Sequence, residues 1–288
     1  MLGNHLLGLY EKALPPEMDW FERLQTAKDL GYDYVEISID EKDERINRLY
    51  FNDYQKEQLH KAIKETGVEI PSMCLSCHRR FPFGSHDPII RDRAKELMER
   101  AILFCREFGI RVIQLAGYDV YYEESTKESL EYFLEGLKWS AKLAEKYQVM
   151  LAMEIMDTKL MSSITRYKAY KKEIPSPWFT VYPDLGNLSA WGNDVKEELT
   201  LGIHEIVGVH LKDTLAVTPS FEGKFKCVTF GEGCVDFKKG FEILESLGYT
   251  GPYMMEMWYE ENMDWKDYIE KAKAFIEEEF KEGVLEKA

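Results

Sequence analysis

The sequence predicts a (β/α)8 TIM barrel, a fold of the α/β class, and three observations support this prediction. Short apolar runs alternate with longer amphipathic runs from residue 5 to residue 282, and each kind occurs eight times. The length of 288 residues suits one such barrel. No stretch rich in proline, glycine and serine divides the chain, so residues 1–288 are predicted to form a single domain.

Strands and helices alternate strictly in the first half of the chain. The first helix carries Trp20, Leu24 and Ala27 at helical spacing, and each of the first three helices is expected to end at a glycine. Pro71 is unusual for a central strand, because proline cannot donate a ladder hydrogen bond. The predicted strands are 5–10, 32–38, 68–75 and 110–116, and the predicted helices are 17–31, 54–66, 87–108 and 126–147.

The second half repeats the alternation and adds one long loop. The polar, glycine-containing segment 212–234 is predicted to be a loop that carries function. The predicted strands are 150–157, 179–184, 205–210 and 252–256, and the predicted helices are 160–172, 193–201, 236–247 and 265–280.

Four polar residues lie at the ends of these last four strands: Glu154, Asp184, His210 and Glu256. A carboxylate beside an apolar strand is costly to bury unless a partner compensates its charge. The carboxyl ends of barrel strands meet at one face, where the active sites of such barrels lie. Three carboxylates and one imidazole form a ligand set for a divalent metal ion. The sequence therefore predicts one metal site built from these four residues.

Taken singly, each of these residues has an ordinary structural explanation. Asp184 precedes Leu-Gly-Asn and could be a turn residue. His210 could be a core histidine, and a glutamate at a strand end often reaches solvent. The metal site follows from the joint pattern, and its ligand chemistry favours Mn²⁺, with Zn²⁺, Co²⁺ and Mg²⁺ as alternatives.

The charge of the chain limits its partners. A net charge of -15 repels nucleic acid and anionic lipid. No apolar stretch is long enough to cross a membrane, and the N-terminus lacks the pattern of an export signal, so a cytoplasmic protein is expected. An acidic protein that binds an anionic substrate needs a local positive site, which a metal ion could supply.

The five cysteines form no convincing site of their own. Their odd number indicates reduced thiols. Cys74 and Cys77, followed by His78, have the spacing of c-type haem attachment, but haem c proteins mature outside the cytosol. Cys227 and Cys234 lack the spacing that would complete a zinc site. Buried, inert thiols are the expected outcome.

Several segments carry a resemblance to a known family. Asp-Leu-Gly-Asn at 184–187 and His-Leu-Lys-Asp at 210–213 occur across a wide superfamily, the xylose-isomerase-like barrels. Arg-Arg-Phe-Pro-Phe-Gly at 79–84 and Ala-Gly-Tyr-Asp-Val-Tyr-Tyr at 116–122 are narrower motifs. Together they resemble the L-ribulose-5-phosphate 3-epimerases, also called L-xylulose-5-phosphate 3-epimerases. The resemblance extends from about residue 6 to the last helix.

The resemblance implies a chemical role for two of the four ligands. Glu154 and Glu256 would be the acid/base pair of an epimerase that inverts carbon 3 of a 2-ketose phosphate through an enediolate. That reaction needs two proton-transfer groups on opposite faces of the substrate and a cation at the developing oxyanion. The resemblance also implies a homodimer and a place in L-ascorbate breakdown.

Further residues are candidates for contact with the substrate. Asn187 is expected near oxygens bound to the metal, and Glu36 is expected to contact the sugar, to support a ligand from behind or to be an exposed strand-end acid. Lys212 and Asp213 are expected to orient His210 or the substrate. No GxxxxGK or strand-linked GxGxxG motif marks a phosphate site. The candidates there are Ser76, His78, Arg79, Arg80 and the backbone amides of 231–233.

Three other functions remain open at this point. An aldose–ketose isomerase, or an epimerase of another ketose, would use similar ligands on the same fold. Metal-dependent cleavage of abasic DNA is known on this barrel, but such enzymes gather several more histidines, and this acidic chain has six in all. A non-enzymatic metal sensor would not need two acids across a cavity.

Overall fold

A computed structural model describes residues 1–286 and contains eight parallel strands. The strands are short and their side chains are mostly buried, as expected for a sheet that is covered on both faces. They are β1 Leu7–Tyr10, β2 Tyr34–Ile39, β3 Glu69–Leu75, β4 Val112–Leu115, β5 Met150–Glu154, β6 Phe179–Tyr182, β7 Val209–Leu211 and β8 Tyr253–Met255.

The strands are arranged as a barrel with a seam between β6 and β7. The hydrogen-bonded order runs β6-β5-β4-β3-β2-β1-β8-β7, so seven neighbouring pairs form regular ladders. The remaining pair meets only through two isolated bridges, Val181 with Ile206 and Asp184 with His210. The predicted (β/α)8 barrel is therefore confirmed, and its seam passes between two of the predicted metal ligands.

Helices cover the outside of the barrel, and all eight predicted helices are present. Two short helices, α2 and α7, were not predicted, because each is less than two turns long and lacks a clear apolar period. The helices are α1 Trp20–Asp29, α2 Asp43–Ile46, α3 Asp53–Thr66, α4 Pro88–Phe108, α5 Lys127–Tyr147, α6 Ile164–Glu173, α7 Leu185–Ala190, α8 Val195–Gly202, α9 Phe237–Ser246 and α10 Trp265–Phe280.

Local sequence signals explain where several elements begin and end. Asn52 begins α3 with a reciprocal capping box, and Gly67 ends it in the left-handed conformation at φ 71°. Pro71 lies within β3, where the register between β2 and β3 shifts, so its missing N–H is tolerated. The predicted start of strand seven at residue 205 is wrong, because the chain leaves α8 through a 3-10 turn at Ile203–Glu205.

One buried ion cluster fixes the chain that follows β1. Glu11 is fully buried, and Arg45 Nη1 lies 2.8 Å from its Oε1, while Arg23 Nη1 lies 3.6 Å from its Oε2. Arg48 pairs with the same carboxylate, and the Ser38 backbone N–H donates to it at 2.6 Å. We call Glu11, Arg23, Arg45 and Arg48 the arginine cluster. It joins the β1 loop to α1 and to the segment after β2.

The cysteines are only partly as predicted. Cys74, Cys77 and Cys105 are buried free thiols, and burial raises the pKa of each. Cys227 and Cys234 are exposed, because both lie in the long loop after β7, so the expectation of burial is wrong for them. No helix within residues 1–286 is both long and apolar enough to span a membrane.

Candidate metal centre and substrate cavity

The four predicted ligands converge at the carboxyl end of the barrel. Glu154 is the last residue of β5, Asp184 begins α7, His210 lies within β7 and Glu256 follows β8. Each offers a ligand atom, and all four atoms lie within 4.8 Å of one another. Asp184 and His210 are fully buried, and the two glutamates are 6% and 7% exposed. The four residues therefore form a group that could hold a metal ion.

The distances around His210 suit a shared ion. Its Nδ1 atom lies 3.8 Å from Glu154 Oε1, 3.9 Å from Asp184 Oδ2 and 3.8 Å from Glu256 Oε2. These separations are too long for hydrogen bonds. They are compatible with donors that each bind one ion at about 2.0–2.6 Å.

Buried oxygens without hydrogen bonds indicate where a cation fits. Asp184 Oδ1 accepts from the Asn187 backbone N–H at 2.8 Å, but Asp184 Oδ2 and Glu256 Oε2 accept no hydrogen bond. Lys212 Nζ lies 3.0 and 2.8 Å from these two oxygens. Each contact is an ion pair to one ammonium group, and a carboxylate oxygen has more than one lone pair, so both oxygens can also bind another cation. The residues present thus fit a divalent ion.

A buried network behind His210 fixes the orientation of its ring. Glu36 Oε1 lies 3.2 Å from Nε2, and Ser72 Oγ donates to Glu36 Oε2 at 2.6 Å. Gln114 Nε2 lies 3.1 Å from Nε2 and 3.2 Å from Nδ1. A proton on Nε2 that points to Glu36 leaves the Nδ1 lone pair facing the three carboxylates.

Without a bound ion, the three carboxyl groups of the centre differ widely in pKa. Burial, followed by the charge of Glu256, raises the pKa of Glu154 to about 8. Burial also raises the pKa of Asp184 to about 6. Burial alone would raise the pKa of Glu256 too, but Lys212 and His210 outweigh it and lower that pKa to about 2. A divalent cation would lower the pKa of these carboxyl groups and so favour their charged forms.

A cavity opens beside this centre and brings most of the predicted site residues together. Its wall includes both glutamates with Asn187, Lys212, Ser76 and Arg79. The Asn187 amide donates to the Ile155 carbonyl at 2.8 Å, and its buried Oδ1 accepts no hydrogen bond. The cavity is also lined by residues that the sequence analysis missed, namely Tyr10, Lys12, Cys74, Met156, Asp157, Lys226 and Trp258.

Four predicted substrate contacts lie elsewhere. Glu36 is fully buried behind His210 and does not line the cavity, so of the roles expected for it the geometry agrees with support of a ligand from behind. His78 is buried, binds the Ala94 carbonyl through Nε2 at 3.1 Å and packs on Phe83. Burial lowers the pKa of His78 to about 4, so it is neutral at pH 7.

The other two candidates that lie elsewhere are Arg80 and the backbone amides of residues 231–233. Arg80 is exposed and pairs with Asp43 at 2.6 Å. Asp213 accepts from the backbone N–H groups of Gly231 and Gly233, both at 2.9 Å, so these amides are not free for a phosphate. Asp213 therefore holds the loop after β7 and does not touch the ring of His210.

Some of the missed residues carry signals that could have identified them. Lys12 follows β1 and Trp258 lies two residues after Glu256, so both occupy strand-end positions on the catalytic face. Lys226 comes from the long loop, where no local pattern marks it. Its Nζ lies 5.6 Å from the centre of the Trp258 ring.

Known proteins resemble this chain in both sequence and fold. A model of the xylose isomerase-like TIM barrel matches residues 24–279. A putative L-ribulose-5-phosphate 3-epimerase, SgbU of Escherichia coli K12, is 53% identical over 282 residues, covering 98% of this chain and 99% of that protein. The L-ribulose-5-phosphate 3-epimerase UlaE of the same strain is 52% identical over 290 residues, covering both chains fully.

Solved structures agree with the fold. A D-tagatose 3-epimerase-like protein superposes with a TM-score of 0.79 at 16% identity, covering 98% of this chain and all of that one. At this identity the similarity concerns the architecture alone. The similarity to the curated relatives extends over whole chains, so the matched region spans all eight strands. The chain belongs to the L-ribulose-5-phosphate 3-epimerase family of xylose isomerase-like TIM barrels.

Proposed function

We propose that this protein is a metal-dependent 3-epimerase that interconverts L-ribulose 5-phosphate and L-xylulose 5-phosphate. One observation carries the proposal: Glu154 and Glu256, from strands three steps apart around the barrel, line one cavity beside a shared ligand group. The names of relatives that are about half identical to this chain support the substrate. The cluster includes one histidine, which agrees with a sugar epimerase rather than with the histidine-rich DNA-cleaving barrels.

The two glutamates would exchange one proton on each face of the sugar. One carboxylate takes the proton from C3, the C3–H electron pair moves into the C2–C3 bond, and an enediolate forms. The other glutamate, in its acid form, returns a proton to C3 from the opposite face. The charge is conserved, and the configuration at C3 is inverted. In the reverse direction the two residues exchange roles.

The ion, held by Glu154, Asp184, His210 and Glu256, would polarise the C2 carbonyl and favour the charge that develops on its oxygen. Asn187 Oδ1 is a free acceptor for a sugar hydroxyl. Lys212 Nζ, between Asp184 and Glu256, favours the charged form of both carboxyl groups and holds them in place. Trp258 and Tyr10 form an apolar part of the wall, which limits access of water.

The phosphate would bind among cationic side chains of the cavity wall. Lys12, Arg79 and Lys226 line this wall, although the chain as a whole carries a net charge of -15. A local positive site in an acidic protein concentrates an anionic substrate there. Arg79 suits this role because its guanidinium can donate two parallel hydrogen bonds to a phosphate.

Proton NMR in D2O tests the proposal. Metal-loaded protein is incubated with L-xylulose 5-phosphate, and the C1 and C3 protons are followed. Loss of the C3 signal with growth of L-ribulose 5-phosphate is expected. Exchange at C1 with an aldose product would instead identify an isomerase. Absence of exchange at both carbons, with metal bound, would exclude this substrate class.

The proposal also covers the identity of the metal ion, the oligomeric state, the cellular location, the pathway and the extent of the domain. We propose Mn²⁺ as the native ion, a homodimer in the cytoplasm as the working form, a role in L-ascorbate breakdown, and one domain over residues 1–288. Metal analysis of protein purified without added metal tests the first property. Light scattering at the concentration of the activity assay tests the second, and a monomer that is fully active would contradict it.

A further inference from the structure

Three loops at the mouth of the barrel meet around Arg79. Glu41, after β2, lies with Oε1 3.7 Å from Arg79 Nη1. Tyr121, after β4, presents its ring to the guanidinium, whose carbon lies 4.6 Å from the ring centre. Arg79 itself follows β3 and lines the substrate cavity. The guanidinium is therefore held from two sides by loops of neighbouring strands.

A row of tyrosines supports the ring that holds Arg79. Tyr118 and Tyr121 meet edge to face at 5.3 Å between ring centres, and Tyr121 and Tyr122 meet at 4.9 Å. Tyr118 is buried and its hydroxyl donates to the Ser76 carbonyl at 3.3 Å. The Tyr122 hydroxyl donates to Glu41 Oε2 at 2.9 Å, and Glu41 is the carboxylate that also pairs with Arg79. We call these three residues the tyrosine row.

These contacts hold Arg79 without using up its hydrogen bonds. The Glu41 contact is longer than a hydrogen bond, and Arg79 Nε is buried and has no hydrogen-bond partner among the described residues. A cation–π contact covers the face of the guanidinium but leaves the donors at its edge free. An arginine side chain loses much rotamer entropy when it is ordered, so holding it in advance lowers the cost of binding an anion.

We infer that Tyr121 is a positioning residue, which fixes Arg79 for the phosphate of the substrate and thereby makes the enzyme prefer phosphorylated over unphosphorylated ketoses. The inference rests on the proposed function. Tyr121 acts through Arg79, so it affects the phosphate end of the substrate and leaves the proton transfer at C3 unchanged. The carboxylates and the ligand histidine lie on other strands, so they do not depend on this contact.

The test compares two substrates across three variants. Tyr121→Leu removes the aromatic face, Tyr121→Phe keeps it, and Tyr132→Leu removes an equivalent face over Arg91, 4.0 Å away and outside the cavity. For Tyr121→Leu, KM for L-ribulose 5-phosphate should rise roughly 5- to 30-fold with kcat unchanged. Its kcat/KM for unphosphorylated L-ribulose should not change. Tyr121→Phe and Tyr132→Leu should behave like the wild type with both substrates.

Other results would overturn the inference. An equal loss with both substrates would mean a structural role for Tyr121, and an unchanged KM would mean that Arg79 needs no support. Titration with inorganic phosphate, followed by ³¹P NMR, keeps the question separate from the epimerase reaction. Weaker phosphate binding by Tyr121→Leu than by Tyr132→Leu is expected even if no ketose is turned over. Equal phosphate affinities would reject the inference, whereas absence of C3 exchange in the wild type rejects only the proposed function.

Discussion

Two buried charge clusters lie near the carboxyl ends of the strands, and they are balanced in opposite ways. In the arginine cluster three guanidinium groups share the carboxylate of Glu11. In the metal centre three carboxylates surround the imidazole of His210, and two of them, Asp184 and Glu256, also share Lys212. The first cluster has an excess of positive side chains and the second an excess of negative ones.

The difference lies in how each excess is compensated. In the first cluster Arg23 and Arg48 also donate to backbone carbonyls and lie over the ring of Trp20, so the protein itself satisfies two of the three guanidinium groups. In the metal centre Asp184 Oδ2 and Glu256 Oε2, two of the oxygens around His210, accept no hydrogen bond. A buried cluster that the chain completes by itself stabilises the fold, whereas one that the chain leaves incomplete is suited to bind an ion. Each of the following experiments tests this contrast.

The largest effect is expected at the acid/base pair. Glu256→Gln keeps the shape of the side chain but removes a proton-transfer group, so kcat for C3 exchange should fall about 10²- to 10⁴-fold. Glu261→Gln, a change at an exposed acid five residues later, should leave kcat unchanged. Circular dichroism of both variants should match the wild type. Full activity in Glu256→Gln would show that the metal centre resembles a purely structural cluster.

Loss of the single anion of the arginine cluster should destabilise the fold. Glu11→Gln leaves three buried guanidinium groups without a counter-charge, which should lower the free energy of unfolding by about 3–5 kcal/mol. Urea denaturation measures this loss, and added metal should not restore it. Glu69→Gln removes the partner of Arg111 in an exposed pair and should cost less than about 1 kcal/mol. Equal losses in the two variants would contradict a structural role for the arginine cluster.

Removal of metal should have the complementary result. A ligand present at 100 times its Kd stabilises the native state by about 2.7 kcal/mol. Dialysis against a chelator should therefore lower Tm by roughly 5–10 °C, and Mn²⁺ should restore it. Calorimetry of the wild type and of Asp184→Asn, which removes one ligand charge, measures the shift. If the Tm of Asp184→Asn responds to metal as strongly as that of the wild type, the four residues are not the ligands.

The network behind His210 should have a smaller effect. Glu36→Gln keeps the volume but weakens the acceptor for the Nε2 proton, so metal affinity should fall about 10- to 100-fold. Isothermal titration with Mn²⁺ measures the Kd without an activity assay. Thr66→Ser, a buried conservative change far from the ring, should leave the Kd unchanged. An unchanged Kd in Glu36→Gln would mean that the ring is oriented by Gln114 alone.

The smallest effect concerns pH. Burial would raise the pKa of Glu11, but Arg48 and then Arg45 outweigh burial and lower it below its usual 4.5. A lowered pKa in the native state contributes stability above the unfolded value, and that stability is lost as pH falls through the native pKa. The Tm difference between wild type and Glu11→Gln should therefore stay constant from pH 8 to 5 and shrink below about pH 4.5. A difference that keeps its full size at pH 2 would contradict this account.

The barrel and the grouping of the four candidate ligands could be predicted because their signals are local. Short apolar runs mark the strands and period-3.6 patterns mark the helices, and a carboxylate after an apolar strand is conspicuous. Asp184 shows that the two explanations considered for it are compatible, because one oxygen caps α7 and the other faces the metal centre.

The remaining wall of the cavity depends on contacts that no short window of sequence contains. His78 and Arg80 flank Arg79 in sequence, yet the 3-10 turn at Cys77–Arg79 sends the first into the core and the second to the surface. Lys226 reaches the cavity from a loop whose path is set by Asp213, thirteen residues earlier in the sequence. Such placements follow from tertiary packing and not from residue type.

The seam between β6 and β7 implies that metal binding also affects the stability of the barrel. Its few hydrogen bonds include His210 N–H to the Pro183 carbonyl at 3.0 Å, beside the bridge between Asp184 and His210. Asp184 and His210 therefore lie on opposite sides of the pair of neighbouring strands that shares the fewest hydrogen bonds. An ion bound to both Asp184 and His210 would hold β6 and β7 together. Separation of these two strands would then release the ion. The metal centre would then also stabilise the closed form of the barrel on which it is built.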